Sequence, residues 1–197
     1  MKTVSIVEAT NVLRSGGVVL APTETVVGLV AAEPGRRRLS EIKNRDPEKP
    51  VALLCASEKE ALEMVSVVPD IARKLAELYW PGPLTLVLGS DGGGTVGVRV
   101  PDHEVIVELL TAYGEPLYAT SANLAGKLPP ASLEAMDSRV VASVDAVVEG
   151  YTGAGEASAV VDLSEGEPRL LRANSEITED ELSRLAEELG REKRENV

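Results

Sequence analysis

Leu84-Thr85-Leu86-Val87-Leu88, then Gly89-Ser90-Asp91-Gly92-Gly93-Gly94, then Thr95-Val96-Gly97-Val98-Arg99-Val100 is the stretch that decides the fold. The two flanking runs read as strands, and the glycine-rich piece between them reads as a flexible hairpin connection. Its three adjacent glycines also invite a phosphate-loop reading. The lysine–serine ending of a Walker loop is absent, however, and strands rather than a helix flank the loop. An antiparallel pair within a chain that otherwise alternates strand and helix irregularly predicts an α/β domain with a mixed sheet.

Outward from the hairpin, residues 8–15 read as a helix closed by Gly16-Gly17, and 18–21 as a buried strand ending at Pro22-Thr23-Glu24-Thr25. Helical spacing follows over 37–44 and a strand over 51–55. Ser57 and Glu60 have capping-box spacing, and 70–79 is an amphipathic helix stopped by Pro81-Gly82-Pro83. Asp102 is the expected cap of a helix running to Tyr113, and 116–119 a strand delivering Thr120-Ser121-Ala122-Asn123. A short helix is expected near 132–136, with strands around 146–148, 158–163 and 169–172. Thr178 and Glu181 open a charged terminal helix to about Lys193, with Leu182, Leu185 and Leu189 on one narrow face. The division expected is a catalytic domain over 1–176 and a terminal helix over 177–197. There is no internal repeat or low-complexity tract.

Composition narrows the function. The chain has 197 residues and a formal charge of −12, which opposes a protein that grips RNA or DNA over a broad surface. No apolar run approaches a bilayer span, and the N-terminal apolar stretch is too short for a signal peptide, so a cytoplasmic location is expected. One cysteine, Cys55, and one histidine, His103, exclude an intrachain disulfide and most zinc patterns. Cys55 reads as core, and His103 as a solvated residue at a helix start. Within this acidic chain, residues 36–49 form a basic island. Arg36, Arg37 and Arg38 read as a solvated helix face, whereas Lys43 and Arg45 are placed to meet a small anion.

Polar residues gather where strands end, the usual location of sites in α/β sheets: Thr23 and Thr25, Arg99, Thr120 to Asn123, and Ser158. Lys43 and Arg45 supply cations, while Ser121 and Asn123 supply a hydroxyl and an amide. Together they suggest a pocket for a phosphate-bearing ligand.

Six segments in order carry a resemblance: Ala21-Pro22-Thr23-Glu24-Thr25-Val26-Val27-Gly28-Leu29; Lys43-Asn44-Arg45 with Lys49-Pro50; Trp80-Pro81-Gly82-Pro83-Leu84-Thr85-Leu86-Val87-Leu88; Thr95-Val96-Gly97-Val98-Arg99-Val100-Pro101; Ser121-Ala122-Asn123 with Gly126; and Val160-Val161-Asp162-Leu163. From about Val4 to Arg172 the chain resembles the YrdC-like family, the threonylcarbamoyl-AMP synthases. The resemblance implies a twisted mixed β-sheet with flanking helices around a concave, positively lined cavity. It implies joining of L-threonine, bicarbonate and ATP into threonylcarbamoyl-adenylate and pyrophosphate, with magnesium on the phosphates. The product would pass to a threonylcarbamoyl transferase acting on tRNA, and the length matches the short, single-domain form.

By the same resemblance, Lys43, Arg45, Ser121 and Asn123 are the catalytic set, and Arg45, Lys49, Thr95, Ser121, Pro129 and Arg172 meet ATP. Thr25, Arg99, Ala119 and Ser158 hold threonine, Arg99 as a bidentate clamp on its carboxylate. Departures from the family pattern are Val27 for Tyr, Leu54 for His, Ala159 for Thr, Thr120 for Pro, and Ala173-Asn174 after Arg172. Two other functions compete: a carbamoyl-adenylate enzyme with another acceptor, and a non-catalytic RNA-binding module. Scarce aromatic residues oppose the second.

Overall fold

The structure is a computed structural model that describes residues 3–46, 51–130, 132, 135–153 and 155–195. Helix α1 (Ile6–Arg14) starts two residues earlier than its spacing predicts. Ser5 and Glu8 form a complete capping box there, each side chain bonding the other's backbone N–H. Strand β1 (Val18–Ala21) turns back into β2 (Gly28–Ala31), an addition to the expected elements, with Val19 opposite Val30. Helix α2 (Arg36–Lys43) leads to β3 (Ala52–Leu54), α3 (Glu58–Glu63), α4 (Asp70–Tyr79) and the hairpin β4 (Leu84–Gly89) and β5 (Thr95–Arg99). Gly93 and Gly94, both at positive φ, close that hairpin.

Then follow α5 (Glu104–Tyr113), β6 (Leu117–Ser121), α6 (Ser138–Ser143), β7 (Ala146–Val147), β8 (Ala159–Asp162), β9 (Arg169–Arg172) and α7 (Glu179–Glu195). Among the described residues no helix is long and apolar enough to cross a membrane.

Two helix starts differ from expectation. The N-cap of α5 is His103, not Asp102, and no side-chain bond caps the helix; the Asp102 N–H donates to Glu24 Oε1 at 3.0 Å. The short helix expected near 132–136 is α6 instead, where the Asp137 side chain accepts the Arg139 N–H at 3.0 Å. Residues 131, 133 and 134 lie outside the described residues. The arginine run lies on a solvated helix face, as expected, with Arg36 and Arg37 exposed. Arg36 stacks 4.8 Å over the Tyr118 ring, and Arg38 pairs with Asp145 at 2.6 Å.

The sheet is mixed, with strand order β7-β1-β2-β6-β3-β5-β4-β8-β9. β1–β7, β3–β5 and β4–β8 are parallel, and the remaining pairs antiparallel. Its first half is covered on both faces. Leu109 of α5 and Leu13 of α1 pack with Val19 and Val30, while Leu39 of α2 and Val140 of α6 pack with Leu20 and Leu29. In the second half one face carries Leu84, Leu86, Val98 and Val161 under Leu75 of α4 and Leu182 and Leu185 of α7. Cys55 sits in that core, where burial and then Glu60 push its thiol up to about 12. The opposite face of this half is where the cavity opens.

Candidate active site

Strand alternation builds the cavity floor. On β4 the leucines point to the core, so Thr85 and Val87 point the other way. On β5 Val98 is core, and Gly97 and Arg99 are turned out beside Val87. Ala52 and Ala119 lie opposite each other on β3 and β6. A Cβ on Gly97 would stand 3.5 Å from Thr85 Cγ2 and 3.7 Å from Ala52, so small side chains keep the floor low. The cavity above it is about 270 Å³, at the small end of the roughly 300–1,000 Å³ of small-molecule sites.

Its lining is electropositive. Arg45, Arg99 and Arg172 face it, and no Asp or Glu does so among the described residues. Desolvation lowers the pKa of the Arg45 guanidinium, and that of Arg172 falls through desolvation and then the charge of Arg99. Arg172, on the last strand, donates from Nε to the Ser158 carbonyl (2.6 Å) and from Nη2 to Ser158 Oγ (3.1 Å). Ser158 Oγ is in turn 3.0 Å from Thr85 Oγ1.

Arg99 is tightly committed. Its Nε donates to the Gly82 carbonyl, and its Nη2 donates to Glu24 Oε1 (2.6 Å) and to Thr25 Oγ1 (3.1 Å). The side-on pair Nε–Nη2 is therefore unavailable as a fork for a carboxylate. Nη1 is the nitrogen that no hydrogen bond among the described residues engages. Glu24 also fixes the start of α5 through Asp102 N. Thr23 donates to the Val26 carbonyl (2.6 Å), so the 2.8 Å contact between the Thr23 and Thr25 hydroxyls is made with the Thr25 proton.

Residues 149–153 and 155 strap this turn in place. Gly153 N donates to the Thr23 carbonyl and Gly155 N to the Thr25 carbonyl. A Cβ on Gly153 would lie 1.8 Å from the Glu24 carbonyl oxygen, so this position requires glycine. His103, half-buried rather than solvated, bonds the Tyr151 carbonyl through Nε2 at 2.6 Å and holds the same strap.

Lys43 and Arg45 diverge at the end of α2. Asn44 adopts the left-handed conformation (φ 49°) that asparagine tolerates, with its N–H returned to the Glu41 carbonyl. Arg45 is thereby turned to the cavity, while Lys43, 4% exposed, points beneath it. The Lys43 ammonium donates to the Ser121 carbonyl (2.5 Å), Ser121 Oγ (3.3 Å) and Asn123 Oδ1 (3.0 Å). Ser121 Oγ donates to Asn123 Oδ1. Desolvation, then the charge of Arg45, lowers the Lys43 pKa to about 8.

Thr25, Arg45, Arg99, Ala119, Ser121, Ser158 and Arg172 thus come together at one cavity. Lys43 and Asn123 stand behind Ser121. Thr95 is exposed at the outer end of β5, on the face that Gly97 and Arg99 share but beyond the lining. Pro129 is outside the lining as well, and Lys49 lies outside the described residues. Glu24 and Thr85 are the two participants the sequence reading leaves without a role. The signal for Thr85 is its period-two spacing within an aliphatic strand. Glu24 has no comparable signal.

Comparison with known proteins gives consistent matches. The Sua5/YciO/YrdC family profile, described as telomere recombination, matches residues 11–174. A threonylcarbamoyl-AMP synthase of Pyrococcus abyssi is 36% identical over 177 residues, 83% of this chain and 52% of that protein. A threonylcarbamoyl-AMP synthase of Xanthomonas axonopodis pv. citri is 37% identical over 169 residues, 77% of this chain and 89% of that protein. The crystal structure of P. abyssi Sua5 complexed with L-threonine has a TM-score of 0.81 at 32% identity, over 91% of this chain and 56% of that one. The chain spans about half the length of the Pyrococcus relative.

Proposed function

The chain belongs to the Sua5/YciO/YrdC family, and we propose that it is a threonylcarbamoyl-AMP synthase, joining L-threonine, bicarbonate and ATP into threonylcarbamoyl-adenylate and pyrophosphate. The observation that carries this reading is electrostatic. In a chain of net charge −12, the cavity is faced by three arginines and by no carboxylate among the described residues. The proposed reaction brings together two anions, the N-carboxylate of threonine and the α-phosphate of ATP. Fixed cations must hold them within reach and spread the charge as pyrophosphate leaves.

Arg45 and the Ser121 turn serve the phosphates, and Arg172 the nucleotide side. Arg99, through Nη1, takes the threonine carboxylate beside Thr25 and Ser158. Lys43 is a positioning residue, because its ammonium is directed to Ser121 and Asn123. No group of His, Cys, Asp and Glu forms a metal site among the described residues. Magnesium would come with the triphosphate as part of the substrate and offset part of its charge. The product is a reactive mixed anhydride, which calls for transfer to a threonylcarbamoyl transferase that modifies tRNA.

Pyrophosphate release from magnesium–ATP, with threonine and bicarbonate each supplied or withheld, tests the reading. Release that requires both is the expected result. Release independent of threonine, or none from a folded protein that binds ATP, would overturn it.

A further inference from the structure

The hydroxyls of Thr85 and Ser158 hold one more proton than the protein uses. Both residues line the cavity and are buried, 6% and 5% exposed. Their oxygens are 3.0 Å apart, and Ser158 Oγ already accepts from Arg172 Nη2. Two hydroxyls carry two donor protons, and their mutual bond engages one. No acceptor among the described residues takes the other, whichever of the two residues carries it. A buried donor in this state is unfavourable until something in the cavity accepts from it.

Elsewhere around Arg99 the donors are committed. The Thr25 proton goes to Thr23, and its oxygen accepts from Arg99. Leu54, opposite Arg99 in the β3–β5 register, offers nothing polar. Stepping the β4–β5 register one residue beyond Leu86↔Val98 makes Thr85 the cross-strand neighbour of Arg99. The spare proton therefore lies next to the cation that would anchor an amino-acid carboxylate.

We infer that Thr85, acting with Ser158, is a specificity-determining residue: the pair donates its spare hydroxyl proton to the side-chain oxygen of the bound amino acid. The site thereby selects a β-hydroxy amino acid over its deoxy analogue, which leaves the donor unmatched. The inference rests on the amino-acid subsite of the synthase proposed above. Arg172 contributes by fixing Ser158 through two bonds, so the pair is already oriented before substrate arrives.

The test compares L-threonine with L-2-aminobutyrate, which lacks only the hydroxyl, on the full chain. Calorimetric affinities are measured alongside pyrophosphate release for the wild type, Thr85→Val, Thr85→Ser and the double variant Thr85→Val/Ser158→Ala. The wild type is expected to prefer threonine by about 10- to 100-fold, the scale of one hydrogen bond to a buried donor. Thr85→Val alone still leaves the Ser158 proton unengaged, so the ratio should fall to within about threefold of unity only in the double variant Thr85→Val/Ser158→Ala, which removes both protons. Thr85→Ser, which keeps the hydroxyl, should retain the preference and guards against a misfolded valine variant. A wild type that binds the two amino acids equally, or does not bind threonine, overturns the inference. So does a folded double variant that still binds ATP and keeps the preference. If the wild type binds with the expected ratio but releases no pyrophosphate, the synthase reading fails while the selectivity of the subsite stands.

Discussion

Replacing Lys43 by methionine separates activity from stability, because the ammonium is costly to bury and useful once buried. The side chain is 4% exposed, and its pKa falls from 10.5 to about 8. At roughly 1.4 kcal/mol per unit, that shift means the charged form disfavours folding by about 3 kcal/mol at neutral pH. Methionine keeps the length, removes that cost, and leaves the Ser121 carbonyl without the ammonium's bond, a loss of about 1–3 kcal/mol. The two nearly cancel, so the melting temperature should stay within about 8 °C of wild type, the equivalent of roughly 2 kcal/mol for a domain of this size. Turnover should not be spared. Without the ammonium, Ser121 and Asn123 lose their common anchor and the phosphate side of the cavity loses a cation. Misplacing the groups that Lys43 positions raises the barrier by about 2–4 kcal/mol, or roughly 30- to 1,000-fold in rate. The assay is pyrophosphate release at pH 7 under saturating magnesium–ATP, threonine and bicarbonate, with thermal denaturation of the same samples. Turnover within threefold of wild type would refute the role assigned to the ammonium. A melting loss well beyond 8 °C would refute the account of its burial.

The same group gives opposite pH signs for stability and activity. A lysine whose folded pKa is depressed costs stability below about pH 8, and that cost is relieved as pH rises toward 10.5. Between pH 8 and 9 the urea-measured stability of wild type should therefore gain about 1 kcal/mol relative to Lys43→Met, a difference in which the Cys55 thiol cancels. Over the same interval kcat/KM should fall in wild type and stay flat in the variant; parallel profiles would exclude Lys43 as the titrating group. Glu24→Gln leaves Arg99 without its carboxylate partner, and should destabilise the free protein by about 3 kcal/mol. Added threonine should recover more of the lost melting temperature than it adds to wild type, since its carboxylate replaces the missing charge; equal shifts would argue against Arg99 as the anchor. Gly153→Ala drives a Cβ into the Glu24 backbone and should cost at least about 2 kcal/mol while raising the threonine KM. An unchanged KM in a folded variant would separate the strap from the substrate turn.

Much of the fold is legible locally. The β4–β5 hairpin, the proline stop after Tyr79, the Ser57 cap and the leucine face of α7 depend on residues within a few positions of one another. Short-range rules of period and capping describe such features well. The failures are local rules overridden from a distance. Asp102 is a good cap by type, yet the helix starts one residue later while Glu24 holds the Asp102 N–H, and β2 is a strand because β1 and β6 flank it.

The sequence by itself determined the kind of site: the motif order, three arginines and a set of small hydroxyls within an α/β frame whose strands alternate core and cavity residues. Tertiary structure decided what each group is free to do. Lys43 meets Ser121 across 78 positions, Arg99 meets Glu24 across 75, and Thr85 meets Ser158 across 73. Hydrogen-bond commitments at such separations follow from strand order and register, which no local pattern encodes. They hold Lys43 against Ser121 and Asn123, leave Arg99 one nitrogen without a hydrogen bond among the described residues, and set one spare proton beside it.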